Sequence, residues 1–550
     1  MKKTLSLLYP ADSPGAQIQS EMDCGFLEEL RIADLVTLPA RRGTPWRSRN
    51  LELRRFLTSD AAVIRHRLDI LEDFVNNPEL SGAFADVLPL IDDLIEIGSA
   101  KAEASDVTAC LYAASELELY VDCTDSLHRA LSNARTLKSA GLRDLLDLVS
   151  EIHESAEYSA MKEKLSKIMA SVRAIRSITV GINLDAQLRS VEAGVVSINN
   201  QPFRSGDLID RLLRLDVSDD GYRCITPLMP YGYNTSDPSA VALNSGINRA
   251  IDTIFRSSVQ KWRPLIRRYL TENIGYLRGL ADEIRLLLAL AHLVQRLRDL
   301  GLPMCKPEVC DMSDRAFRAE GLYNPHIAFS LKEPFMEMVV NDFGFDETGM
   351  IYILTGANQG GKSAFTYAVG IAQALLQLGA FVPAKSAAIS PVDQILTNFP
   401  AEEMDSIGKG RLGEECARLR NTLERATDCS LVLMDETLSS TSAIEASYIA
   451  GEVIIGLSLI GCRCIFATHL HDLAQRVGEL NQHPLARARI DNLVATLKDG
   501  EGDQRSYKIV RMCPDGLSHA RSIAEKYGVT LESIMETRGR TKAEVIDRGQ

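Results

Sequence analysis

The stretch Gly356-Ala-Asn-Gln-Gly-Gly-Lys362-Ser363 constrains this chain more than any other. It fits G-x-x-x-x-G-K-[ST], the pattern of a phosphate-binding loop. Glycines there let backbone N–H groups close around phosphate oxygens, and the N-terminus of a following helix adds partial positive charge. The flanks supply the context the pattern needs. Residues 350–354 are apolar and β-branched, which predicts a buried strand, and residues 364–378 predict a helix that stops at Gly379. The candidate nucleotide-binding residues are therefore Gly356, Ala357, Asn358, Gln359, Gly360, Gly361, Lys362, Ser363 and Ala364. Lys362 is the candidate partner of the β- and γ-phosphates, and the Ser363 hydroxyl is a candidate ligand of Mg²⁺.

Two later stretches suit the same site. Ser430-Leu-Val-Leu-Met-Asp435-Glu436 is an apolar strand ending in two acids. Beside a phosphate-loop strand, Asp435 is the candidate for holding the Mg²⁺ hydration shell, and Glu436 for orienting or deprotonating the attacking water. Leu459-Ile-Gly-Cys-Arg-Cys-Ile-Phe-Ala-Thr-His469 is the next strand, and His469 at its end is placed to sense a γ-phosphate. His471 has no comparable argument. The catalytic candidates are thus Glu436, Lys362 and His469, and the metal candidates Ser363 and Asp435.

At 550 residues the chain predicts more than one domain. Its 45% hydrophobic and 25% charged residues are ordinary for a soluble globular protein, so composition excludes a collagenous or disordered class. No apolar run reaches the roughly 18 residues of a membrane span, which predicts no membrane partner. The start Met1-Lys-Lys-Thr is followed by too short an apolar run for a signal peptide. Eleven cysteines without a CxxC pair fit reduced thiols and a cytoplasmic location. Cys305 and Cys310 lack a matching second pair and read as ordinary thiols, while Cys462 and Cys464 read as core residues. The net charge of −13 argues against a protein that coats nucleic acid non-specifically, though not against a local basic patch. Arg41, Arg42, Arg47, Arg49, Arg54 and Arg55, with only Glu52 among them, suit either phosphate contact or a solvated, ion-paired helix face.

Residues 1–40 are poorly patterned. From about 57 to 300 the chain reads as mostly helix: Ile64, Leu68, Leu71 and Val75 fall at helical spacing, and Pro78 follows. Amphipathic segments are expected at 84–97, 109–123, 124–138 and, as one long helix, 142–176. Between 178 and 229 the pattern shifts to short strands, with a hairpin turn expected at Asn199-Asn200. Residues 248–300 return to helix. Helix out, β-containing tip and helix back predict a lever-like arm. Pro303, Pro307 and Pro325 suggest that 301–330 is a linker into the nucleotide domain.

Thr355-Gly-Ala-Asn-Gln-Gly-Gly-Lys-Ser363 resembles the phosphate loop of the MutS family of DNA mismatch-repair ATPases. Asp435-Glu-Thr-Leu-Ser-Ser-Thr-Ser442 resembles that family's metal and water acids with the loop that follows. Phe466-Ala-Thr-His-Leu-His-Asp-Leu473 resembles its switch-histidine motif. Gly321-Leu-Tyr-Asn-Pro-His326 resembles the segment leading into its ATPase, and Ile64-Arg-His-Arg-Leu-Asp-Ile-Leu71 the start of its helical core. The resemblance implies an ABC-type ATPase using ATP and Mg²⁺, a homodimer sharing its nucleotides, and helical levers ending in a clamp around DNA. It implies adenine near Met338–Asn341.

The expected fold is accordingly multidomain: a mainly α-helical core and lever, then an α/β phosphate-loop domain of ABC type. The expected division is an N-terminal segment 1–50, a core and lever 51–310 with its tip near 178–245, a MutS-like ATPase domain 311–530 and a tail 531–550. Two departures stand out. Gly408-Lys-Gly-Arg-Leu412 occupies the place of the family's glycine-led Ser-Thr-Phe signature, so Gly410 replaces a serine that acts in trans. The chain is also too short for mismatch-reading and connector domains before the core, and Phe26-Leu-Glu28, the first of its three Phe-x-Glu stretches, is in the wrong setting for a mismatch wedge. The leading expectation is an ATP-dependent, dimeric, MutS-type clamp on DNA without mismatch specificity. The alternative is an ATP-switched protein scaffold that does not touch DNA.

Overall fold

The computed structural model describes residues 6–10, 22–39, 51–100, 106–134, 136–174, 176–188, 190–203, 275–356, 360–400, 411–497, 505–514 and 528–537. The chain forms two compact units: residues 1–6, 77–137 and 142–284 make one, and residues 7–76, 138–141 and 285–550 the other. Elements are numbered here in chain order.

The first described helices belong to the second unit. Helices α1 (Gly25–Glu29) and α2 (Ile32–Leu35) bury Phe26, Leu30, Ile32 and Leu35. Helix α3 (Ala61–Asn76) starts where the Asp60 carboxylate accepts from the Ala62 backbone N–H (2.8 Å), the N-cap arrangement that satisfies an orphan donor. Its buried face is Val63, Ile64, Leu68, Ile70, Leu71 and Phe74. Residues 1–40 look patternless because α1 and α2 are each barely a turn long, too short to show a period.

The first unit is helical. It contains α4 (Pro78–Ala100), α5 (Asp106–Asn133), α6 (Ala140–Glu154), α7 (Ala156–Arg173), the hairpin β1 (Ser177–Leu184) and β2 (Ser190–Asn199), and the start of α8 (Gly275–Asp299). Three local expectations are corrected here. The segments expected at 109–123 and 124–138 are one helix, because the β-branched Thr124 at their junction only weakly disfavours helix; Thr124 is buried with its hydroxyl 3.3 Å from Tyr276 Oη. The single helix expected over 142–176 is two. Ser155 breaks it: its hydroxyl donates to Ile152 O (2.8 Å) and accepts from Tyr158 N (3.1 Å), so it closes one helix and caps the next. The hairpin turn lies at 185–188, not at Asn199-Asn200. Asp185 Oδ1 accepts from Gln187 N (2.9 Å), Asp185 O accepts from Leu188 N (3.0 Å), and Leu188 takes a φ of 61°. Asn199 instead ends β2, paired with Ser177. The strand expected at 222–227 lies outside the described residues.

The second unit is α/β. A short four-stranded sheet has the order β3 (Glu308–Val309), β7 (Ser386–Ile389), β4 (Phe317–Leu322), β5 (Asn341–Phe345). Residues 301–330, expected as a linker, therefore supply two strands, followed by helix α9 (Pro325–Ser330) and a single turn, α10 (Pro334–Glu337). The main sheet has the order β12 (Arg505–Arg511), β11 (Ile490–Leu497), β6 (Ile351–Gly356), β10 (Arg463–Ala467), β9 (Leu431–Asp435), β8 (Ile395–Asn398). All neighbours are parallel except the β11–β12 pair. Every residue of β6, β9 and β10 is buried, as expected of parallel strands covered on both faces. Helices α11 (Lys362–Leu378), α12 (Arg411–Arg425) and α13 (Ala443–Ile460) accompany this sheet, and Gly379, in the left-handed region at φ 79°, ends α11 as expected. Two short helices, α14 (His471–Gln475) and α15 (Val477–Gln482), follow β10, and α16 (Leu531–Thr537) comes last.

Helix α13 is the one described helix long and apolar enough to cross a membrane. It carries Glu445 and Glu452, and its inner face (Ala446, Ala450, Ile454, Leu457) joins the core formed by Ile351, Ile353, Val432, Met434, Cys464 and Phe466. Cys462 and Cys464 are buried there, as expected, and the described cysteines are all free thiols. Of the arginine run, Arg41, Arg42, Arg47 and Arg49 lie outside the described residues, while Arg55 is 3.7 Å from Glu52 with both side chains exposed.

Candidate functional site

Strands β6, β9 and β10 end side by side, so the residues that follow them converge at one edge of the sheet, where ligands of open α/β sheets bind. Gly356 ends β6 with a φ of 134°, and a Cβ there would lie 2.8 Å from the Ala495 carbonyl oxygen, so only glycine fits. Ala357, Asn358 and Gln359 lie outside the described residues. Gly360 is buried, and Gly361, at φ 96°, turns the chain into α11. Lys362 opens that helix, 4% exposed, and donates to Gly356 O at 3.0 Å, so the ammonium lies back across its own loop. Burial lowers its pKa, opposed by the charges of Glu436 and Asp435.

Asp435 ends β9 and is 4% exposed. Burial raises its carboxyl pKa, against a hydrogen bond from the Ser363 hydroxyl that favours the charged form. One carboxylate oxygen, Oδ1, is buried without a partner. A buried unpaired carboxylate oxygen is costly unless a cation or donor satisfies it. It sits next to Ser363 and Lys362, so Ser363 and Asp435 suit a hard cation that keeps water and phosphate oxygens as its other ligands. Among the described residues no group of three or more His, Cys, Asp or Glu forms a self-sufficient metal cage, Cys305 and Cys310 included.

Glu436 follows with a φ of 49°, unusual for a non-glycine residue, and its N–H donates to Ala467 O (2.9 Å). Its Oε1 lies 2.7 Å from His469 Nε2, so the acid and the histidine from neighbouring strand ends form a direct pair. His471 begins α14. Beyond the acids, Ser440 Oγ donates to Glu415 of α12 (2.5 Å), and Ser442 caps α13 by accepting from Glu445 N (3.4 Å). Gly408, Lys409 and Gly410 lie outside the described residues; Arg411 and Leu412 start α12.

A cavity of about 600 Å³ opens beside Lys362, Ser363 and Glu436. It is also lined by Met338, Val339 and Asn341, where adenine is expected, together with Ile327, Leu331 and Tyr507. The Asn341 amide is fixed from both ends, donating to Tyr507 O (3.3 Å) and accepting from Ile509 N (2.8 Å). Tyr507, at φ 56°, stands against Gly361, where an added Cβ would meet its ring at 3.5 Å. Sequence reasoning gave no role to Asn324, Phe365 or Tyr507. Asn324-Pro325 carries a usable signal, a capping residue followed by proline at the first helical position; Tyr507, far along the chain on an edge strand, carries none.

The family profile "MutS domain V" matches residues 352–525, and "MutS2 N-terminal domain" matches residues 59–300. Similar curated proteins include the "DNA mismatch repair protein MutS" of Clostridium kluyveri (strain NBRC 12016), 37% identical over 181 residues, which is 32% of this chain and 20% of the relative. The protein of the same name from Ruminiclostridium cellulolyticum is 32% identical over 272 residues, 48% of this chain and 29% of the relative. That of Chloroflexus aurantiacus (strain Y-400-fl) is 28% identical over 371 residues, 60% and 36%. The chain thus spans between 20% and 36% of the length of these relatives.

Proposed function

The chain belongs to the MutS-like family, and from that premise we propose that it is an ABC-type, Mg²⁺-dependent ATPase whose nucleotide state switches a dimeric clamp on DNA. The observation that carries the ATPase reading is the unpartnered buried Asp435 oxygen, beside Lys362, Ser363 and the Glu436–His469 pair, of which Lys362, Ser363 and Glu436 line the cavity.

In this reading Gly356–Ser363 wraps the phosphates, and Lys362 exchanges its bond to Gly356 O for the β- and γ-phosphates. Ser363 and Asp435 hold Mg²⁺, which neutralises phosphate charge when bound. Glu436 orients the attacking water and accepts its proton as the new O–P bond forms and the β,γ-bridging O–P bond breaks. His469, already hydrogen-bonded to that carboxylate, fixes its direction and reports on the γ-phosphate. Adenine lies against Met338, Val339 and Asn341. The face formed by residues 408–442 meets a second copy, which completes each site. DNA is gripped by shape or topology rather than by base reading, since none of the described elements carries a base-reading pattern.

The net charge of −13 favours a second reading, an ATP-switched scaffold that binds protein instead of DNA. The deciding experiment measures Mg²⁺-dependent ATP binding and hydrolysis, then binding to homoduplex, mismatched and branched DNA at one salt concentration, with and without ATP. ATP hydrolysis with ATP-dependent DNA retention supports the clamp. Hydrolysis without DNA binding leaves the scaffold, and absence of ATP binding overturns both.

A further inference from the structure

Helix α9 is bound at its two ends to two different parts of the unit, and Asn324 makes the first attachment. Asn324 is 6% exposed and caps α9: its Oδ1 accepts from His326 N at 2.9 Å. That bond orients the amide and leaves Nδ2 pointing the other way, where it donates to Ala364 O at 3.2 Å. Ala364 lies in the first turn of α11, immediately after Lys362 and Ser363. At the other end of α9, the Phe329 ring lies under the Arg296 guanidinium of α8, 4.0 Å from centroid to Cζ, a cation–π distance. The His326 ring adds a third tie, its Nε2 3.0 Å from Leu30 O. Ile327 and Leu331, on α9 and at its C-cap, line the same cavity as Lys362 and Ser363.

We propose that Asn324 is a positioning residue for nucleotide: its Nδ2–Ala364 bond sets the spacing between the wall that holds the base and the helix that holds the phosphates. The proposal rests on the ATP-binding reading of this site. A nucleotide must touch both sides at once, so its affinity depends on that spacing. A polyphosphate without base or ribose touches only the loop, the first turn of α11 and the end of β9. Those parts are joined by the main sheet and need no help from α9. Asn324 therefore acts on ATP and not on the bare polyphosphate, a selectivity that a purely structural cap does not produce.

The test is calorimetric titration of the full chain with Mg²⁺-ATP and, separately, with Mg²⁺-tripolyphosphate. Asn324→Ser keeps an N-capping hydroxyl and loses the bridge to Ala364. Loss of one such hydrogen bond is expected to raise the Kd for ATP about three- to tenfold. The Kd for tripolyphosphate and the melting temperature of the free protein are expected to stay at wild-type values. Lys362→Ala, the control, weakens both ligands. If Asn324→Ser lowers the melting temperature, Asn324→Asp, which keeps the acceptor at full reach, supplies the same ratio of the two Kd values. Equal weakening of both ligands, or wild-type ATP binding by a folded Asn324→Ser, overturns the proposal while the site reading stands. Failure of the wild-type chain to bind ATP overturns the site reading and this proposal with it.

Discussion

Asp435 is where the proposed site and the stability of the fold oppose each other. Burial raises its pKa above the ordinary 3.8, so between pH 3.8 and the raised value the free folded protein holds a proton there that the unfolded chain has released. By linkage, this group's contribution to free-protein stability is most favourable below pH 3.8, falls as pH rises toward the raised value and is constant above it. Asp435→Asn removes that dependence. Its melting temperature is expected to match wild type at low pH and to exceed it by a margin that grows until the pH passes the raised value and is constant above it. Adding Mg²⁺-ATP is expected to raise the wild-type value and leave the variant where it was. A gap already constant from low pH upward would show that burial of the charge is not its cause. Lys362 and Glu436 divide the chemistry differently. Lys362→Ala is expected to weaken nucleotide binding. Glu436→Gln is expected to bind ATP and slow turnover on the order of 100-fold or more, the usual worth of a positioned general base. Normal turnover by Glu436→Gln would remove it from the water-activating role. These residues were legible in the sequence because each must stand next to a fixed neighbour: glycines that free backbone N–H groups, and acids at the end of an apolar run. Asn324 was not, because its partner Ala364 is 40 positions away and nothing local encodes that bond.

At the scale of elements, the same contrast has a physical cause. β6, β9 and β10 are buried on both faces, so each is an unbroken apolar run that sequence alone reveals. α1 buries Phe26 beside β8, a strand made hundreds of positions later, and no local pattern announces that. Ser155 divides α6 from α7 through two hydrogen bonds rather than through a breaker residue, so the run reads as continuous. The hidden N-terminal helices are nonetheless part of the α/β unit. Phe26 is 1% exposed beside β8, and Asp23 N donates to Gln394 Oε1 at 2.9 Å. Phe26→Ala is expected to destabilise the protein by about 3–5 kcal/mol, the usual range for emptying a buried aromatic site. Chemical denaturation measures it. A loss below about 1 kcal/mol, typical of a surface change, would show that α1 only rests on the sheet.

At the scale of the whole molecule, the proposed dimer makes a concentration-dependent prediction. Ser440, just past the acids, is hydrogen-bonded to Glu415 on α12, so the loop after the acids and the helix after Gly408–Gly410 present one continuous face. If that face completes a second copy's site, ATP interacts differently with closed and open forms, as any population shift requires. Specific ATPase activity is then expected to rise with protein concentration and to drop in Arg411→Glu. The glycine that stands where the family has a serine predicts slow turnover even in the dimer. Activity that is flat with concentration, from a species shown by light scattering to be monomeric throughout, would exclude the composite site.

The α/β unit is built from residues 7–76 and from 285 onward, with most of the helical unit's chain between them. Gln377, near the end of α11, donates to Thr58 O, and Thr58 N donates to Gln377 O, so the stretch leading into α3 is sewn to a helix made far later. During synthesis the apolar face of α3 leaves the ribosome first and waits for α11, roughly 15–60 s at about 5–20 residues per second. In that interval residues 77–284 can close around their own core, while Leu30 and Arg67 lack the partners they meet at Gly370 of α11 and at Gly379 beyond its end. The N-terminal strip, then, is the part of the newborn chain that a chaperone has to shelter longest.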